Sequence, residues 1–399
     1  MTDRNFDNLS PEELEREQAA PRRHGTLKRV FSVFLVLAVV LGAVVFAAYR
    51  DLSSFDSVRR LLSYNKVERD EQGRARSYGY DSDRTNVYAM LGERLVVAST
   101  TKFSVLADDG TQVYSQSVQM KNPAIRVGAQ SAVVYDIGGT SAFLVNEKGL
   151  LRDCGELCDG GILSASLNSS DYLALTTERS GYKSVVSVYD ATGTLLFAFN
   201  SSDSYVLDAC VSRDCRHLAA VTAGEADGVF ASTLNIYSLS SETPESVNVL
   251  GGSLVLTLAN MGGRFVTAAD DRLTIFGADG SLAGSYRYEY PYLRAMSTDG
   301  TDYAVLLLNR YQSGSAFRLV ALSPEGETLG TSDISREVLD VSAAGKYIAV
   351  LYSDRLTICT SDLNEYAVLE DTDYAKGVIM RDDGTALLLG STGAWLYIP

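Results

Sequence analysis

Tryptophan occurs once in the 399 residues, histidine twice and proline seven times. Each shortage removes a class of protein. Beyond residue 49 the one histidine is His217, beside a tight turn, so a Ser–His–Asp triad has no evident base. No Gly-x-Ser-x-Gly elbow, His-Glu-x-x-His pair or phosphate-cradling glycine loop occurs. Positive charge is scarce too: the formal net charge is −15. The charges of residues 1–49 balance, so the acidic excess lies after them. Nucleic-acid phosphate repels such a domain, so no nucleic-acid partner is expected; the acidity serves solubility. Long hydrophobic runs are absent but for one, Val30–Tyr49.

What is abundant is short strand and tight turn. Hydrophobic residues make up 46% of the chain, enough for a large core, with 33 glycines and 23 tyrosines. One alternating strand recurs: Phe103–Leu106, Val186–Tyr189, Leu234–Tyr237, Leu273–Phe276, Leu356–Cys359. Turn signals follow most copies: Asp109-Gly110, Thr192-Gly193, Asp279-Gly280. A period of roughly 40 residues containing only short strands predicts a β-propeller. We count eight blades, beginning near Val87, Ala124, Leu163, Val206, Val255, Arg294, Val338 and Val378. Seven is the alternative, because the boundaries of blades 2 and 4 are soft. The last blade runs out of chain after its third strand, Ala394–Ile398. An orphan extended piece, Ala75–Tyr80, precedes blade 1. It is expected to supply the missing outer strand and so leave no open edge.

The apolar run at 30–49 carries no charge. About 20 such residues, at about 1.5 Å rise each, cross a ~30 Å hydrocarbon layer. Arg22, Arg23, Lys28 and Arg29 before it place the N-terminus in the cytosol. The expected layout is a cytosolic tail (1–29), a transmembrane helix (30–49), a juxtamembrane helix and linker (50–73) and an extracytoplasmic propeller (74–399). A signal peptide cut after Ala47 is the competing reading. Ser10-Pro11-Glu12-Glu13 caps a short tail helix. Phe55, Val58, Leu61 and Leu62 recur at helical spacing and predict an amphipathic helix after the span.

Aligned in this way, the repeats and their Asp-Gly turns resemble a family of uncharacterised, membrane-anchored bacterial propellers, a domain of unknown function. More distantly they are similar to WD40-like and quinoprotein-like propellers. The Gly-His…Trp-Asp signature is missing, and a lone Trp395 speaks against a docked quinone. The resemblance implies an envelope location and brings no catalytic residues.

Cys154 and Cys158 form one close pair, and Cys210 and Cys215 another. Local disulfides suit an exported domain; free thiols, or one zinc site using all four, are the alternatives. The spacing departs from C-x2-C knuckles, so no metal is expected, and no cofactor. Cys359 replaces Tyr237 and Phe276 of sister strands and reads as apolar filler. The acidic clusters Asp108-Asp109, Asp270-Asp271, Glu370–Asp373 and Asp382-Asp383 are compatible with hydrolysis or calcium. Turn chemistry alone also places Asp there.

Two groups are binding candidates. Tyr286, Tyr288, Tyr290 and Tyr292 alternate, so their rings share one strand face, open to a glycan or partner or packed between blades 5 and 6. The loops bearing Arg179, Tyr182, Arg310 and Tyr311 lie on the face that carries the connections between blades. The closing strand should run toward that face, so the tether enters opposite and the face looks away from the membrane. The expected function is non-enzymatic: a membrane-anchored scaffold binding an envelope protein. A ligand- or carbohydrate-sensing receptor and a carboxylate-dependent hydrolase are the alternatives.

Overall fold

The computed structural model describes residues 32–42, 52–65, 67–226 and 228–399. The chain divides into two compact units, 1–65 and 66–399. In the first, residues 32–42 are helical and exposed, and helix α1 spans Leu52–Ser63. Leu61 and Leu62 of α1 are exposed. The expected cytosolic tail and both ends of the expected span lie outside the described residues. Among the described residues no helix is long and apolar enough to cross a membrane.

The second unit is eight four-stranded antiparallel sheets. Blade 1 holds β2 (Val87–Leu91), β3 (Arg94–Ala98), β4 (Lys102–Leu106) and β5 (Gln112–Ser117). Blade 2 runs from β6 (Pro123–Val127) to β9 (Gly149–Asp153), and blade 3 from β10 (Ile162–Leu167) to β13 (Leu195–Ser201). Blade 4 runs from β14 (Tyr205–Val211) through β15 (His217–Ala226) and β16 (Val229–Ser238) to β17 (Pro244–Val249). Blade 5 spans β18 (Val255–Met261) to β21 (Leu282–Arg287). Blade 6 spans β22 (Tyr292–Gly300), β23 (Tyr303–Asn309), β24 (Phe317–Leu322) and β25 (Thr328–Ile334), and blade 7 spans β26 (Val338–Ala344) to β29 (Glu365–Glu370). The count is eight, not seven.

Blade 8 is the clasp. Its strands β30 (Gly377–Met380), β31 (Ala386–Leu389) and β32 (Gly393–Tyr397) are completed by β1 (Arg74–Gly79). In that pairing Arg74 lies opposite Tyr397, Tyr78 opposite Ala394 and Gly79 opposite Gly393. Tyr78 is 1% exposed, and the Tyr80 hydroxyl donates to the Gly390 and Gly393 carbonyls at 2.9 and 2.8 Å. The first and last strands of the propeller thus share one sheet.

Burial follows from stacking sheets face to face. A central strand has a neighbouring blade on each side, so it reads as a continuous apolar run: every residue of β23 is buried. Along β15, Leu218 and Ala220 face blade 3, while Ala219 and Val221 face blade 5. Outer strands meet solvent and alternate, as in β17. The first strands of successive sheets adjoin and line the channel. Side chains staple them to the next blade: the Ser184 hydroxyl accepts from Val206 N at 2.9 Å, and Asp340 Oδ2 from Val378 N at 2.9 Å. The tight turns need their glycines: Gly110 sits at φ +82°, and a Cβ there would meet Ser77 O at 2.6 Å.

All five cysteines are free thiols, so the expected local disulfides are absent. Cys210 belongs to the core between blades 4 and 5. Cys215 instead receives the Asn168 amide of blade 3 at 3.2 Å, on the other side of its sheet. Cys154 and Cys158 flank a 3-10 turn (Gly155–Leu157), and the Cys158 thiol donates to the Cys154 carbonyl at 3.5 Å. Cys359 fills the core between blades 6 and 7, as expected of an apolar residue.

Candidate binding face

Within an antiparallel blade, the turn between the second and third strands lies at the same end as the connection to the next blade. Every inner strand therefore starts on that inter-blade face. β1 begins at the opposite end, beside Tyr397, and finishes here, beside Gly393.

Five successive inner strands, in blades 3 to 7, slip register after their first or second paired residue: at Ile162/Ser164, Val206/Asp208, Val255/Thr257, Leu293/Ala295 and Val338/Asp340. The skipped residue is Leu163, Leu207, Leu256, Arg294 or Leu339. A bulge leaves its extra residue unpaired and re-aims its side chain. Leu207, Leu256 and Leu339 are consequently exposed. Beside them, Tyr205 and Tyr292 open their inner strands, Leu254 directly precedes β18, and all three are exposed too. The blade 4 hairpin extends beyond its sheet and carries exposed Val229 and Phe230. Tyr374, in the connection between blades 7 and 8, is 88% exposed at φ +59°, a backbone region costly for a non-glycine residue.

Several rings on this face carry a cation. Lys183 lies 5.3 Å from the Tyr205 ring, Arg310 5.7 Å from Tyr311 and Arg336 5.5 Å from Tyr352. Tyrosine and arginine are the residues enriched at protein-interface hot spots.

The candidates divide three ways. Tyr292, Arg310 and Tyr311 come together on blade 6, since Tyr292 pairs with Asn309 across β22 and β23. Arg179 and Tyr182 pair in the blade 3 turn, where Arg179 meets Asp159 at 3.4 Å. Tyr288 is buried in the core between blades 5 and 6, and Tyr286 and Tyr290 are half-buried against it. Arg318 covers the Tyr290 ring at 4.6 Å, so the four tyrosines are not one exposed stack. Sequence reasoning missed the bulge leucines. Their signal was the repeated Val206-Leu207, Val255-Leu256 and Val338-Leu339, adjacent apolar pairs at a strand start where only one member can face the core.

Carboxylates on the channel wall differ from those in turns. Burial pushes the Asp208 and Asp340 carboxyls up; the Arg126 guanidinium partly offsets this at Asp208. Turn carboxylates are drawn down by local donors. Asp109 accepts from the Thr111 hydroxyl and N–H at 2.6 and 2.9 Å, and these bonds lower it. Asp271 is lowered chiefly by Arg272, with Ser253 adding a bond. Asp383 is buried and holds Thr385. Among the described residues no group of three or more His, Cys, Asp or Glu is placed to hold a metal ion.

The propeller is similar to BamB from Moraxella catarrhalis, with 12% identity and a TM-score of 0.51 over 81% of this chain and 98% of that one. It is similar to the C-terminal WD40 domain of Sif2, with 14% identity and a TM-score of 0.52 over 82% and 96%. The dihydro-heme d1 dehydrogenase NirN, in complex with DHE, matches with 12% identity and a TM-score of 0.50 over 77% and 75%. Likenesses this remote establish shared fold alone. No curated protein sequence matches the chain. A model described as a family of unknown function (DUF5711) matches residues 65–372, most of the propeller, and the chain therefore belongs to the DUF5711 family.

Proposed function

We propose that the chain is a non-enzymatic protein-binding scaffold, held to the cell membrane by the 30–49 segment. Its propeller lies outside the cytosol with the inter-blade face turned away from the lipid, toward an envelope protein. The observation that carries the reading is the set of bulged, exposed leucines with its cation-covered tyrosines at the channel mouth. Exposed apolar groups gathered this way mark interaction sites. Entry of β1 from the opposite face supports a tether on that side. The charge-free composition of 30–49 supports the anchor.

The test is site-specific photo-crosslinking in intact cells. A photoreactive side chain at Leu256, Tyr292 or Leu339 is expected to capture a discrete protein. The same group at Glu93 or Asp302, in turns of the opposite face, is expected to capture none. Equal yield from both faces overturns the reading. A carbohydrate receptor is less well supported, because one of the four candidate tyrosines is buried and two are half-buried.

A further inference from the structure

A cavity of about 520 Å³ opens on the inter-blade face between blades 6 and 7. That is within the size range of ligand pockets. Asn309, at the end of β23, is 1% exposed and lines it. Its Nδ2 donates to the Gly314 carbonyl at 2.8 Å. This bond sets the orientation of the amide, because a flipped amide would oppose oxygen to oxygen. The other end, Oδ1, is buried without a hydrogen-bond partner. Native proteins seldom leave a buried acceptor in that state.

The remaining polar wall repeats the same chemistry. Asp340 accepts from Val341 N at 2.8 Å and Val378 N at 2.9 Å, one bond to each oxygen, and keeps further lone pairs. Glu337 stands exposed at the rim. The one cation lining the pocket, Arg294, is engaged elsewhere: it donates to the Tyr311 and Gln312 carbonyls and ties down the 310–314 loop. What the pocket leaves open is acceptor, carrying more negative than positive charge.

We infer that this pocket takes a primary ammonium group, the lysine side chain of the partner docked on the inter-blade face; the inference rests on that reading of the face. An ammonium brings three donors and no acceptor, matching Asn309 Oδ1 and the two carboxylates. Its methylene stem suits the apolar Leu339 and Phe317 that also line the cavity. A phosphate or carboxylate ligand would meet repulsion from Glu337 and Asp340.

The full-length protein is titrated calorimetrically with an end-blocked Gly-Lys-Gly peptide. Saturable binding is expected, abolished when the lysine is ε-acetylated. N309L and E337Q should each weaken it by at least about tenfold. E93Q, on the opposite face, should leave it unchanged. Glu337 is exposed, so E337Q decides the matter if N309L does not fold. Equal binding of the acetylated peptide, or wild-type affinity in E337Q, overturns the inference. Crosslinks from Leu256, in blade 5, report the face separately. Crosslinks without peptide binding overturn the pocket alone; peptide binding without crosslinks overturns the docking half and leaves the ammonium site standing.

Discussion

Cys210 and Cys215 flank one hairpin turn yet face different blades, which shows what single residues disclose. Their spacing permits a bridge; the turn, with Cys215 at φ +58°, leaves the two side chains on opposite sides of the sheet. With all five cysteines free, unfolding without reductant should expose five alkylatable thiols by mass, where a local bridge would leave three. In the native protein Cys215 should react first. Cys158 should follow slowly, since burial pushes its thiol up to about 11. Cys154, Cys210 and Cys359 are buried and should stay unmodified until unfolding. The role of Cys359 was legible because its sister positions hold Tyr237 and Phe276. The fate of Tyr288 was not, because period two assigns rings to a face without saying what covers it.

At the scale of the element, the decisive strand is β1. A six-residue strand at the start of the propeller holds the last blade through its pairing with β32, the Tyr80 hydrogen bonds and the burial of Tyr78. Tyr78→Ala should cost about 3–5 kcal/mol, as truncation of a buried aromatic does. Urea denaturation measures it, and a change below about 1 kcal/mol would mean that the clasp adds little to folding. This strand was legible because a propeller leaves no blade one strand short, and one unassigned extended segment was available. Adjacent apolar pairs such as Val206-Leu207 hint at the five inner-strand bulges without fixing them. A bulge is a mismatch between two paired strands, and the alternation of one strand alone cannot reveal it.

Over the whole molecule, the carboxylates set the response to pH. Asp83, Asp109, Asp190, Asp279 and Asp362 are lowered by turn hydrogen bonds, and Asp333 by Arg318. Their folded values lie below the unfolded one, near 3.8, so their stabilisation is present above it and lost as pH falls through the folded values. Asp208 and Asp340 are raised, so theirs is present at low pH and lost as pH rises through the folded values. Asp208→Asn should raise the urea midpoint at pH 7 and leave it unchanged at pH 3; an unaltered midpoint at pH 7 would refute the assignment. The blade repeat and the strand order within a blade are local properties of the chain: alternation, Asp-Gly turns and a repeated length dictate them wherever the sequence is read. Which apolar residues reach solvent was settled only when the blades stacked. Neighbouring sheets claimed Tyr286, Tyr288 and Tyr290, while slipped register expelled Leu207, Leu256 and Leu339; burial belongs to a pair of surfaces, and a single strand carries only one of them.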